Sequence, residues 1–291
     1  MAKTRELKRR IRSIGKTRQI TRTMEMVSTS KLKRATDRVH AARPYAERLI
    51  EVIGRLVDPD LRERHPLLRQ PETVRRAAVL LITSNRGLAG AFNVNLIREA
   101  RGLIARLQRQ NVAVDLHVIG RKGVGFFRFQ KTKLASERTD ITDRATIADA
   151  STLVDPLREA FERRDLDEVY VVYAQFRSAL STPPATMRVL PVASPAAKAE
   201  GETRYQHNYT LSPSADEILD RLLPLYVRNS VYRALVETAA AEHGARRTAM
   251  KNATDNAGDI LDTLTRTYNR ARQAQITQEI AEIVGGAAAL E

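Results

Sequence analysis

Two long terminal helices, paired antiparallel around a central open α/β domain, are what this 291-residue sequence predicts. Three observations carry the prediction. A helical stretch of about 60 residues after Pro224 holds no further proline, and apolar positions recur there at spacings of three and four. Lys3 to Leu56 has the same rhythm, interrupted only by Pro44. Between them, short continuous apolar runs alternate with amphipathic stretches, the pattern of an open α/β sheet. A 60-residue helix is roughly 90 Å long, about three times the width of a small domain. Its own globule cannot bury it, so it needs a partner helix and a further sleeve.

In the N-terminal segment (1–57), Leu7, Ile11 and Ile14, then Ala35, Val39, Ala42, Ala46, Leu49, Ile53 and Leu56, make a coiled-coil seam. Arg18, Thr21, Glu25 and Ser28 fall on the same positions, and there the apolar seam is expected to fail. Ile20, Met24 and Val27 form a stripe on a shifted face, which implies a partner other than the second helix. Residues 74–193 hold the α/β domain. Ala77–Ile82, Val112–Ile119, Glu168–Phe176 and Thr186–Val192 read as strands, and Asn93–Leu107 and Thr146–Phe161 as helices. Residues 194–213, with Pro195 and Gly201, read as a linker or exposed loop.

The C-terminal helix (214–287) carries a seam of Ile218, Leu222, Leu225, Tyr232, Val236, Ala239, Met250, Ala253, Ala257, Ile260, Leu264, Ala271 and Ala274. Asn229, His243, Arg246 and Thr267 are its polar members. Near the end the stripe shifts to Ile276, Ile280 and Ile283. Asn252 to Gly258 is rich in poor helix formers, which implies either specific side-chain partners or a local kink.

Composition narrows the function classes. Aromatics are 5% with no Trp, and much of the apolar content is Ala, Leu, Ile and Val, which suits helix-on-helix packing. There is no Cys, so disulfides and cysteine metal sites are excluded. No apolar run is long enough to span a bilayer. Net charge is +15, and residues 1–40 hold 13 Lys and Arg against three acids, a net +10. The partner should therefore be acidic: nucleic acid, an anionic membrane surface or an acidic protein face. A solvated helix face is the plain alternative. The Arg-rich start also has the look of an organellar targeting peptide, but it contains Glu6 and runs without a break into the body of the chain.

Little points to catalysis. Thr83–Gly90 follows the first strand and opens a helix, where backbone N–H groups can meet a phosphate. It lacks the spacing of a dinucleotide fingerprint and the lysine of a P-loop, and such a turn needs glycine for backbone reasons alone. His40, His65, His117, His207 and His243 form no metal-ligand spacing, and no Ser/His/Asp grouping is visible. No cofactor is expected. An α/β enzyme with helical arms and a basic coiled-coil nucleic-acid binder are the competing classes. The first would show a pocket of convergent titratable groups, and the second a steep salt dependence on DNA.

The chain resembles the gamma subunits of F-type ATP synthases, the central rotor shaft. The resemblance rests on Ile11–Ile14, Gln19–Val27, Lys31-Leu32 and Ala42–Ala46. It continues in Thr83–Asn93, Ala253–Ala257, Tyr268–Gln273, Ile276–Glu279 and Gly286-Ala287. It runs the full length and is most specific at the termini. It implies an antiparallel coiled coil inside a hexamer of alpha and beta subunits, with the α/β domain on the epsilon subunit and the ring of membrane c subunits. The shaft would do no chemistry, bind no nucleic acid and insert no segment into the membrane. Absence of the chloroplast regulatory insert implies a bacterial protein, peripheral on the cytoplasmic face of the inner membrane. By position, Met24 corresponds to a shaft residue near the acidic lever of a catalytic subunit. Arg246, Arg272, Gln273, Thr277, Glu279 and Glu282 match polar positions of rotor–head contact and coupling. Tyr209 matches a foot position near epsilon and the ring, and Ser212 stands where the family has a Glu.

Overall fold

The computed structural model describes residues 2–57, 61, 64–141, 143–193 and 214–288. Two compact units emerge, and both long helices contribute to each: Met1–Thr29 with Arg246–Glu291, and Ser30–Ala245. The elements are α1 (Ala2–Leu56), β1 (Arg76–Ile82), α2 (Phe92–Arg109), β2 (Ala113–Ile119), α3 (Arg121–Phe129), β3 (Ser136–Arg138), α4 (Ile147–Glu162), β4 (Glu168–Ala174), β5 (Pro184–Leu190) and α5 (Ala215–Ala288).

The second unit is built on a five-stranded sheet in the order β3-β2-β1-β4-β5. All neighbours are parallel except β4 and β5. The strand period decides which face each residue serves. Ala77, Val79 and Leu81 of β1 join a core with Leu96, Ala100 and Leu103 of α2 and Val124 and Phe127 of α3. Ala78, Leu80 and Ile82 join the opposite core, with Val154, Leu157 and Phe161 of α4, Leu49 and Ile53 of α1, and Leu219, Leu223 and Val227 of α5. Both long helices thus pack, over part of their length, as one layer of an α/β sandwich. α4 begins with a reciprocal cap in which Thr146 accepts from Asp149 N–H and Asp149 accepts from Thr146 N–H.

Two expectations are corrected, and two elements are added. α1 is not interrupted at Pro44. A proline removes one backbone bond and crowds the preceding turn, but here buried Val39, Ala46, Leu49 and Ile53 hold the turns on either side. α3 and β3 were not read from the sequence, and Gly120, Gly123 and Gly125 fall in α3 and its cap. Two of those glycines are required by close approach to the end of β1. A Cβ on Gly120, whose φ is 95°, would lie 2.2 Å from the Thr83 carbonyl oxygen, and one on Gly123 would lie 2.8 Å from Thr83 Oγ1. The C-terminal seam is also displaced at alternate positions. In the first unit α5 turns inward Met250, Thr254, Ala257, Leu261, Leu264, Tyr268, Ala271 and Gln275, while Ile260, Thr267 and Ala274 are exposed.

Candidate functional site

The first unit consists only of the two helices, running antiparallel. As the α1 partner advances from Thr4 to Thr21, the α5 partner retreats from Gln275 to Thr254. Thr4 Oγ1 donates to Gln275 Oε1 at 3.0 Å, a Cβ on Gly258 would sit 3.7 Å from the Arg18 guanidinium, and Thr254 Oγ1 lies 2.8 Å from Thr21 Oγ1. Where the apolar seam of α1 fails, Thr21 and Ser28 are buried and Glu25 is half-buried, while Arg18 is exposed, so the helices still meet there through polar residues. Thr254, from the stretch of poor helix formers, is that seam's partner, and α5 runs through it without a break.

The outer surface of this unit carries unburied apolar groups. Ile20, Met26 and Val27 are more than half exposed. Past Gln275, α5 continues with Ile276, Ile280, Ile283 and Val284, exposed by 46%, 56%, 72% and 62%. Their spacing of four, three and one puts them on one helix face. On α1 the cations Arg5, Lys8, Arg9, Arg12, Lys16 and Arg22 are exposed, so the basic run is a solvent-facing surface.

The sequence-predicted site residues lie along this unit rather than in one pocket. Met24 is half-buried and Arg246 is buried. Arg272, Gln273, Thr277, Glu279 and Glu282 are exposed. Glu279 accepts from Gln275 Nε2 at 2.8 Å and Glu282 from Gln278 Nε2 at 2.9 Å. From Arg246 to Glu282 is roughly 54 Å of helix. Tyr209 and Ser212 lie outside the described residues.

In the second unit, the place where a doubly wound domain binds a ligand is filled. Such sites lie outside the carboxyl ends of the strands where the chain order reverses, here between β1 and β4. α5 occupies that crevice. Ala174 N–H donates to Thr238 Oγ1 at 3.2 Å and Phe176 N–H to Glu237 Oε2 at 3.1 Å. Glu237 is wholly buried, with Arg233 Nε at 2.9 Å and Arg43 Nε at 3.7 Å from Oε1. Arg43 also donates to the Phe176 carbonyl at 2.6 Å. A Cβ on Gly244 would come within 3.1 Å of the Ala179 carbonyl oxygen, so helix and loop touch.

The glycine turn after β1 is equally occupied by its own side chains. Asn93 Oδ1 accepts from Ser84 N–H at 3.0 Å, Asn85 Nδ2 donates to the Ile141 carbonyl at 2.8 Å, and Asn85 Oδ1 accepts from Arg121 N–H at 3.0 Å. These bonds tie the turn to α2, α3 and the loop before α4. Beside it, Asp143 Oδ2 meets Lys31 Nζ at 3.0 Å and His243 Nε2 at 3.1 Å, while Arg38 donates to the Asp143 carbonyl at 2.8 Å. Burial pushes the Asp143 carboxyl up, but its bonds to Lys31 and His243 outweigh this and hold it below the usual carboxylate range. This node fastens both long helices to one loop. Sequence reading missed it, since nothing local marks Asp143. Glu237 left a fainter signal: it is a lone acid between Leu235-Val236 and Thr238 to Ala241. Among the described residues no group of His, Asp and Glu could hold a metal ion. Nor is any helix there long and apolar enough to cross a membrane.

Comparison with known proteins agrees with this geometry. The family profile described as ATP synthase matches residues 3–290. An ATP synthase gamma chain of Gemmatimonas aurantiaca is 63% identical over 100% of both chains. One from Streptomyces avermitilis is 44% identical over 99% of this chain and 96% of the relative. The fold is also similar to a chain in the cryo-EM structure of Euglena gracilis mitochondrial ATP synthase, OSCP/F1/c-ring, in rotational state 3. There the TM-score is 0.67 at 18% identity, covering 99% of this chain and 95% of that one. A helical pair with an outward apolar and basic surface, an α/β unit whose ligand crevice is closed by its own helix, and full-length identity at this level lead to one assignment: the chain belongs to the ATP synthase gamma chain family.

Proposed function

We infer that the chain is the non-catalytic central-stalk subunit of a rotary ATP synthase, turning inside a catalytic head and coupling proton flow to ATP synthesis or hydrolysis. One observation carries the reading. The 74-residue α5 outruns its partner helix and presents Ile276, Ile280, Ile283 and Val284 to solvent on one face. Apolar surface in that amount on a slender shaft calls for an apolar bearing around it, at about 25 cal/mol per Å² covered. Alpha and beta subunits supply such a bearing in this reading. The epsilon subunit and the ring of c subunits hold the other end, on the cytoplasmic face of a bacterial inner membrane. The closed crevice and the occupied glycine turn support a chain that does no chemistry of its own. Met24, Arg246, Arg272, Gln273, Thr277, Glu279 and Glu282 are assigned to rotor–head contact, and Tyr209 to the foot.

The nucleic-acid alternative has no support among the relatives and is set aside. The test is a truncation series in the assembled complex, scored by subunit co-purification and ATP-driven proton pumping. Removal of Ala287–Glu291 should leave both intact. Deletions reaching past Gln273 should lower both progressively. Complete loss of assembly from the shortest deletion would replace the bearing with a discrete terminal contact. A purified chain that bound ATP stoichiometrically in calorimetry would overturn the non-catalytic assignment.

A further inference from the structure

Met24, Lys31 and Arg38 stand at intervals of one heptad on α1. A heptad is close to two helical turns, with a drift of only about 20°, so the three lie in one row along one face. All three are half-buried. Asp143, in the loop before α4, holds two members of the row. Its Oδ2 meets Lys31 Nζ at 3.0 Å, and its backbone carbonyl accepts from Arg38 at 2.8 Å. The same Oδ2 lies 3.1 Å from His243 Nε2 on α5. Arg246 follows His243 by one turn, on a neighbouring position of the same side. One loop residue therefore grips both long helices, one turn before Arg246 and two turns before Met24.

Apolar support at this level is thin. The buried cluster that joins the helices to the stretch after β4 consists of Leu32, Ala35, Val39, Phe176, Val236 and Ala240, most of them small. Farther along, from Leu49 on α1 and up to Leu235 on α5, the helices belong to a much larger core. Apolar contact is non-directional, so a small cluster keeps helices together but resists turning about their axes only weakly. Hydrogen bonds lose strength steeply as their angle departs from linear. The bonds converging on Asp143 therefore supply what the small cluster lacks, a fixed rotational setting.

We propose that Asp143 is a positioning residue for rotary coupling. It fixes the rotational setting of α1 and α5 at the turns that carry Lys31 and His243. Through the Met24–Lys31–Arg38 row and the His243–Arg246 turn, that setting decides which way Met24 and Arg246 point. Asp143 touches no reacting group and acts only through those residues. The inference rests on the central-stalk reading, which assigns Met24 and Arg246 to contact with the head.

Asp143→Asn keeps the backbone carbonyl for Arg38 and the shape of the side chain, and removes the charge that Lys31 and His243 share. In the assembled complex, in inverted membrane vesicles, ATP hydrolysis should persist. Protons pumped per ATP should fall by at least about twofold, the low end of what residues outside a ligand site do to coupling. Ile97→Val, a truncation buried on α2, is the control for a general loss of stability. An equal fall in pumping per ATP from Ile97→Val overturns the proposal. The sequence contains no Cys, so nitroxide labels at Lys33→Cys and Ala105→Cys, both exposed positions, report the α1–α2 distance in the purified full chain. The distance distribution should broaden on Asp143→Asn. An unchanged width overturns the proposal even where the variant assembles poorly. A broadened distribution with unchanged pumping per ATP overturns it too, because the grip would then set the helices without consequence for coupling. Failure of the parent chain to co-purify with alpha and beta subunits sinks the central-stalk reading beneath the proposal, and that pull-down is scored before any variant is made.

Discussion

In the Ser30–Ala245 unit, β1 is sealed on both faces, and its Ala77, Ala78, Val79 and Leu81 are 0% exposed. In the Met1–Thr29/Arg246–Glu291 unit, the seam consists of groups such as Thr21, Ser28, Thr254 and Ala257, and Leu261 and Leu264 are only half-buried. The α/β unit has apolar residues inside and places its polar groups in bonded networks. The helical unit keeps hydroxyls and alanines inside and leaves Ile20, Val27, Ile280 and Ile283 outside. The first pattern gives stability within the chain. The second leaves apolar area for surfaces the chain does not itself provide, as expected of a shaft.

The largest effect should come from the buried carboxylate of the α/β unit. Glu237→Ala removes the carboxylate that Arg233 and Arg43 meet and leaves the Phe176 N–H without its acceptor. Removing one partner from a buried pair costs about 3–5 kcal/mol. Urea unfolding of the purified chain should show that drop in its main transition. A loss under 1 kcal/mol would mean that the closed crevice contributes no stability.

Leucine truncations compare the two units directly. Leu80→Ala, in the sheet core at 2% exposure, should destabilise by about 2–5 kcal/mol. Leu261→Ala, half-exposed in the helical seam, should cost about 1 kcal/mol, since less area leaves water there. Equal losses measured by chemical denaturation would remove the contrast between the units.

Much of this contrast was legible in the sequence. β1 and β4 were visible as short apolar runs because strands buried on both faces need them. The α1 seam was visible because its period is strict. What stayed hidden depends on contacts distant in the chain. α3 went unread, and the reason for its Gly120 and Gly123 is Thr83, some 40 residues earlier. The α5 seam was misread at Ile260 because two adjacent positions satisfy a heptad equally well, and hydrophobicity favours the one that the helix turns outward. Asp143 joins Lys31 and His243 across about a hundred residues on either side, which no local pattern records. Of the candidate site, the apolar stripes were readable, while their exposure awaited the structure.

The Asp143 node should respond to acid. Its carboxyl is held below the ordinary range in the folded state, so the folded state binds the proton less well than the unfolded chain. Stability from the node is therefore present above the ordinary carboxylate range and is lost as pH falls through the lower folded-state value. Asp143→Asn should cost about 1–2 kcal/mol at pH 7, in keeping with bonds to charged partners at a partly exposed site. The same substitution should flatten the acid limb of the stability profile. An unaltered limb would assign it to other carboxylates.

The smallest effect is expected at the polar layer of the helical pair. Thr21 Oγ1 lies 3.0 Å from the Arg18 carbonyl, Thr254 Oγ1 lies 2.8 Å from the Met250 carbonyl, and the two hydroxyls face each other at 2.8 Å. Each therefore has an acceptor within its own helix, and loss of the cross-helix bond strands neither proton. Thr254→Val alone should cost less than about 1 kcal/mol. Thr21→Val with Thr254→Val should be close to neutral, since two methyls replace two satisfied hydroxyls in a seam that excludes water at that layer. A coupling energy near zero in the double-mutant cycle would leave the layer with a role in register rather than in strength. Register can be measured separately. A disulfide introduced by Thr4→Cys and Gln275→Cys, in a chain with no native Cys, should form readily in the parent and more slowly in the double valine variant, because an all-apolar seam permits the helices to slide. Equal rates of closure would show that the small residues flanking the layer, such as Ala257 and Gly258, already fix the alignment.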